Sequence, residues 1–189
     1  MRATTTGAFV FCLCSLVYAS LPAMADVLDQ SAGGFTIAQK VVVPVAAAAA
    51  WSKFVDVAAW WGNGHTFSGS ATNLKLDASA GGCFCESLAK GGSVAHLRVV
   101  TAEPGELLRL VGAMGPLQSM AVQGALSVAF KSVDGGTEVT LSYAVGGYLP
   151  GGLEPWASRV DGMFGGQMQQ YRQQFPQAAK QAKQALRRG

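Results

Sequence analysis

Between Glu154 and Phe175 the apolar residues Trp156, Val160, Met163, Phe164, Tyr171 and Phe175 recur at steps of three, four or seven. That spacing stacks side chains on one face of a helix and predicts a single long helix with an apolar stripe. Upstream the period changes to two. Phe35 to Val43 alternates, is rich in β-branched residues, and stops at Pro44, which predicts a strand. Val45 to Val55 is Ala-rich and favours helix. Asp56 is placed to cap a second short helix through Trp60 and Trp61, which Gly62-Asn63-Gly64 breaks. Six further strands are predicted, at 72–77, 82–89, 93–102, 107–112, 122–133 and 137–145. A helix laid on such a sheet leaves an internal space, so the pattern suggests a container for a hydrophobic ligand.

Turn chemistry sets the register of several pairs. Asp134-Gly135 is a two-residue hairpin signal that pairs Val133 with Gly136. It brings Phe130 opposite Val139, Val128 opposite Leu141 and Leu126 opposite Tyr143, all apolar or aromatic. Pro104-Gly105, taken as a two-residue turn, sets Val99 against Leu110 and Thr101 against Leu108, with Leu97, Val99, Leu108 and Leu110 facing inward. An even-length turn around Lys90-Gly91-Gly92 adds Phe84, Glu86 and Leu88 to that face and leaves Cys83, Cys85 and His96 on the other; an odd length reverses the third strand. Gly165-Gly166 falls inside the long helix, where it reads as a close approach to the sheet, a bend, or a hinge.

Residues 1–25 read as an export signal. Arg2 supplies the positive start, Ala8 to Leu21 an apolar run of about 14 residues, too short to span a bilayer comfortably, and Ala23-Met24-Ala25 a small-x-small cleavage pattern. The expectation is an exported protein, periplasmic or secreted, with no stable membrane insertion after cleavage. Residues 26–34 read as a flexible leader, 35–175 as one domain, and 176–189 as a basic polar helical tail. Lys and Arg number 14 against 11 Asp and Glu. The small excess sits largely in the tail, so no nucleic-acid partner is expected.

The order strand, two short helices, six antiparallel strands and a long final helix resembles the helix-grip fold of the START/SRPBCC superfamily. Local features carry the resemblance: the Ala-rich segment with Trp51 after Pro44, Gly81-Gly82-Cys83-Phe84-Cys85-Glu86 opening a strand, Asp134-Gly135-Gly136-Thr137 before the last strand, and Trp156 at the start of the final helix. They are similar to the polyketide-cyclase and ATPase-activator-homologue branch. The resemblance implies an α+β fold in which a curved antiparallel seven-stranded sheet wraps the C-terminal helix. It also implies an apolar cavity that different members use for lipids, polyketides or hormones. Cytosolic chaperone activation, the role of one branch, conflicts with the export signal.

Catalytic motifs are mostly absent: there is no G-x-S-x-G, H-E-x-x-H, phosphate loop or dinucleotide fingerprint. Three small constellations remain. Glu86 alternates with inward-facing residues, and burial would make it an acid, a base or a ligand anchor. Cys83 and Cys85 stand roughly 6.6 Å apart along an extended strand, near the upper limit for a disulfide, which would strain or bulge it. With His96 they offer three soft ligands for zinc or copper(I). His65 lies in a glycine-bounded loop that suits a gate, and Met114, Pro116, Leu117 and Met120 lie in an apolar loop that suits a cavity mouth.

The expected function is binding of a hydrophobic small molecule or lipid without a cofactor and without obligatory catalysis. Trp60, Phe84, Leu97, Val99, Leu110, Met114, Tyr143, Trp156, Val160 and Phe164 form the expected lining, with Glu86 and Tyr143 as polar handles. The alternatives are a cyclase or dehydratase using Glu86 or His65 as acid or base, and a periplasmic metal or redox protein using Cys83, Cys85 and His96.

Overall fold

The computed structural model describes residues 25–175. Of the expected signal only Ala25 falls within this range, and the expected tail lies outside it. Eight strands form one antiparallel sheet: β1 (Ala25–Ser31), β2 (Gly34–Val43), β3 (Leu74–Leu76), β4 (Cys83–Ser87), β5 (Ser93–Glu103), β6 (Leu107–Val111), β7 (Ala121–Val133) and β8 (Gly136–Tyr148). Their spatial order is β1-β2-β8-β7-β6-β5-β4-β3. Among the described residues two α-helices complete the α+β fold, α1 (Ala47–Val55) and α2 (Glu154–Gln173). α2 packs against β1 and β2, and α1 against β7 and β8.

The eighth strand corrects the expectation of seven. Residues 26–34, expected to be a flexible leader, supply β1 and a tight turn at Ala32-Gly33 that pairs Ser31 with Gly34. A register shift between Val27 and Asp29 passes over Leu28, which is exposed. That irregularity destroys the alternation by which a strand is recognised. The second short helix is only a 3-10 turn, Val57–Ala59.

The β7–β8 hairpin has the predicted register, with Phe130 opposite Val139, Val128 opposite Leu141 and Leu126 opposite Tyr143. The β5–β6 hairpin differs. Glu103 pairs with Leu107, so the turn has three residues, and Leu108 faces Ala102 instead of Thr101. A bulge between Val99 and Thr101 then restores the pairing of Val99 with Leu110. β4 and β5 repeat the device: Ser87 pairs with Ser93, an odd-length connection, and a bulge at His96 returns Leu97 to its place opposite Phe84.

The inner face is packed by aromatic rings meeting edge to face, including Trp61 with Phe84 at 5.4 Å and Tyr143 with Phe164 at 5.6 Å. Such pairs add about 0.5–1.5 kcal/mol each beyond burial. Gly165 answers the question of the glycine pair in α2. A Cβ there would lie 3.2 Å from Oε1 of the buried Gln39 on β2, whereas one on Gly166 would meet nothing within 4 Å among the described residues. The helix runs unbroken across both, and Gly165 marks a close approach to the sheet.

Candidate functional site

A cavity of about 370 Å³ opens beside the N-terminal half of α2. Trp156, Arg159, Val160 and Met163 of α2 form one wall, the segment from Trp61 to Phe67 another, and Met114 to Leu117 a third; Leu74, Phe84 and His96 close the base. The volume lies toward the small end of the range for ligand sites. Deeper in, between Trp60, Phe84, Leu110 and Phe164, the remaining void is about 20 Å³, room for about one water. The space between sheet and helix is filled, and the open volume lies at its mouth.

This divides the expected lining. Phe84, Met114, Trp156 and Val160 border the cavity, as does the exposed His65. Trp60, Leu97, Val99, Leu110, Tyr143 and Phe164 are buried in the packed core instead. Trp61, one residue beyond the expected Trp60, is the tryptophan at the cavity, while Trp60 turns inward and donates from Nε1 to the carbonyl of Phe54 at 3.1 Å. Arg159, Met163 and Phe67 were missed. Arg159 stands 5.5 Å from the centre of the Trp156 ring and places a cation at the rim. Met163 was visible in the apolar stripe, at the edge that faces the opening.

Tyr143, expected as a polar handle, is fully buried, and its hydroxyl is spoken for. It donates to the carbonyl of Gly112 at 2.8 Å and accepts from the N–H of Met114 at 3.2 Å. Burial pushes its pKa up to about 12. The hydroxyl therefore fixes the start of the 114–117 wall. Gly124 on β7 makes room for the ring, since a Cβ there would lie 2.5 Å from it.

Glu86 is buried behind His96 and does not itself border the cavity. Its carboxylate accepts from the N–H of Phe67 at 3.0 Å, from the N–H of Ser68, and from His96 Nε2 at 2.9 Å. Burial works to raise its pKa, but hydrogen bonds from the Ser68 hydroxyl, the Phe67 and Ser68 amides and His96 outweigh it and hold the carboxyl below its ordinary value. Glu86 thus pins the loop that carries His65 and Phe67 to the cavity rim. For His96, burial lowers the pKa against the upward pull of the Glu86 hydrogen bond and charge. The result is a neutral imidazole beside an ionised carboxylate. Since a carboxylate only accepts, the imidazole proton is on Nε2 and Nδ1 is left as an acceptor. Nδ1 is buried and has no hydrogen-bond partner among the described residues.

The expected outward grouping of His96 with Cys83 and Cys85 is overturned. Cys83 and Cys85 form a disulfide with their Cα atoms 5.3 Å apart, which shortens β4 locally. The register shifts at that point, and the extra residue on β5 is His96, so His96 and Leu97 are both buried inward. The cysteines stay on the outer face and the histidine joins Glu86. Among the described residues, no group of three or more His, Cys, Asp or Glu is arranged to hold a metal ion.

An eight-stranded curved antiparallel sheet gripping one C-terminal helix, with a cavity where the helix meets the loops, is a helix-grip fold. Solved structures share it. The Aha1 dimer of Colwellia psychrerythraea superposes with a TM-score of 0.53 at 10% identity, over 74% of this chain and 95% of that one. A protein of Nitrosomonas europaea gives 0.51 at 12% identity, over 75% and 94%. DynU16, a putative protein in the dynemicin biosynthetic locus, gives 0.51 at 15% identity, over 73% of this chain and 46% of that one. Likeness at this level of identity establishes the fold alone. No family model and no curated protein matches the sequence.

Proposed function

We propose that this protein binds a hydrophobic small molecule in the cavity at the helix N-terminal half. The observation that carries this reading is the contrast between a filled interior and an apolar-walled opening of about 370 Å³ at one end of it. The fold supports it, since a helix laid over a curved sheet naturally leaves space at the open end. The polar end of the ligand is assigned to His96. Its Nδ1 accepts and does not donate, so a hydroxyl or phenol suits it and an ether does not. Phe67, more than half exposed, stacks on the imidazole at 5.8 Å and is the cover that must swing aside.

The experiment is a fluorescence titration with 2-naphthol and 2-methoxynaphthalene. The naphthol should bind at least about ten-fold more tightly, the equivalent of about 1.4 kcal/mol, and His96→Phe should erase the difference while keeping the binding of the ether. If neither compound binds saturably, the cavity is not a site for small aromatic ligands. A second reading, acid–base catalysis, is favoured by one observation: a neutral imidazole oriented by a buried carboxylate has the form of a general base, which supports His96 in that role ahead of Glu86 or His65.

Export also belongs to this proposal. It is supported by Arg2, the apolar run and Ala23-Met24-Ala25. N-terminal sequencing of the protein from its native host should begin at or near Asp26; a product that starts at Met1 overturns it.

A further inference from the structure

Binding in the cavity leaves the disulfide unused. Cys83 and Cys85 are half-buried on the opposite face of the sheet. The ladder sets the exposed Arg98 directly across from Cys83 and the exposed Lys75 directly across from Cys85. Directly opposite residues share a face, with Cβ atoms about 4.5–5.5 Å apart. The Arg98 guanidinium donates to the carbonyl of Gly81 at 3.2 Å, which holds it beside the start of β4. Alongside Cys83 runs a groove of about 410 Å³ to which Arg98, Gln118 and Gln123 contribute polar groups, and Val111 and Met120 apolar ones. A disulfide bordered by two cations, at the edge of a groove with amide and guanidinium donors, is equipped to receive an anionic thiol.

We propose that Cys83 and Cys85 form a thiol–disulfide exchange site for a small acidic peptide thiol of the glutathione kind, seated in this groove. The peptide thiolate attacks Sγ of Cys83, the sulfur that borders the groove. The bond to Cys85 breaks, its electron pair leaves on Cys85 as thiolate beside Lys75, and a mixed disulfide forms on Cys83. A second peptide thiolate attacks the peptide sulfur of that mixed disulfide and releases Cys83. The products are one peptide disulfide and the two cysteines as thiols, which take their protons from water. Two electrons pass from two peptide thiols to the protein, and the peptide disulfide re-oxidises it by the reverse sequence. Arg98 draws in the carboxylates of the peptide, and the Lys75 cation stabilises the negative charge that develops on the departing sulfur of Cys85.

The test follows oxidised wild-type protein in reduced glutathione by acid quenching and mass spectrometry, with no denaturant. Reduction within minutes is expected, through a single transient glutathione adduct on Cys83. Glutathione should outpace the cationic thiol cysteamine at equal thiolate concentration, and added salt should narrow the gap. Lys75→Gln should slow the reaction, because the thiolate leaving on Cys85 loses the cation beside it. Arg98→Gln should remove the preference for glutathione. Both positions are exposed, so both variants should melt with the wild type, which separates a lost charge from a lost fold. Cys85→Ser treated with oxidised glutathione should trap the adduct on Cys83. A disulfide that survives excess glutathione until denaturant is added overturns the proposal. So does one that reacts equally with both thiols and ignores both substitutions.

Discussion

Glu86 keeps its charge inside the protein because donors surround it: two backbone amides of the 62–69 loop on one side and the His96 imidazole on the other. His96 in turn stays neutral because burial outweighs the attraction of that charge. Both groups have folded-state pKa values below their ordinary ones, 4.5 for Glu86 and 6.5 for His96. In each case the unfolded chain therefore binds more protons than the folded one as pH falls. Stability should be full above pH 6.5, decline as pH falls from there through the lowered value of His96, and decline again below pH 4.5 through that of Glu86. Urea midpoints measured from pH 8 to about pH 3 should show both declines, and His96→Phe should remove the upper one. Equal wild-type midpoints at pH 7.5 and 5.5 would show that His96 is not held neutral. The inward placement of His96 was not legible in the sequence. Counting by twos along β5 puts it outside, and only the bulge opposite the Cys83–Cys85 cross-link turns it in.

At the scale of elements, hairpins were legible where the turn was regular. Asp134-Gly135 predicts the whole β7–β8 ladder because a two-residue turn leaves no freedom in register. Pro104-Gly105 predicts the pairing of Val99 with Leu110 although the turn has three residues, because the bulge cancels the extra one. Two compensating irregularities cannot be seen in a pattern of alternation. In α2 the apolar stripe was legible but rotated: Ala157, Gln167 and Met168 are also buried, while Trp156 and Met163 lie at its edge, half exposed. The glycine pair gives a sharp test of how α2 meets the sheet. Gly166→Ala, with open space at its Cβ, should raise the melting temperature by the equivalent of up to about 1 kcal/mol. Gly165→Ala should gain less or lose, because its Cβ must push on Gln39. If the two substitutions shift the melting temperature equally, Gly165 is not in close contact with β2.

For the whole molecule, the helix-grip architecture followed from element order, but the position of the empty space did not. Whether a helix-on-sheet interior is hollow depends on which rings turn inward, and Trp60, Tyr143, Phe164 and Tyr171 all do. Adjacent tryptophans look alike in sequence, yet Trp60 fills the core while Trp61 borders the opening. Val99, the natural choice for blocking a deep cavity, is therefore a core residue, and enlarging it would test packing rather than binding. Met163 is the better choice. It lines the opening from α2, is half-buried, and has free volume beside it. The direct test of ligand binding is a titration of wild-type and Met163→Trp protein with 2-naphthol, run beside their melting curves. Saturable one-to-one binding to the wild type is predicted, weakened at least about ten-fold in the variant with the melting temperature unchanged. Absence of saturable binding to the wild type, or equal binding to a folded Met163→Trp, would contradict a ligand site at the mouth of this fold.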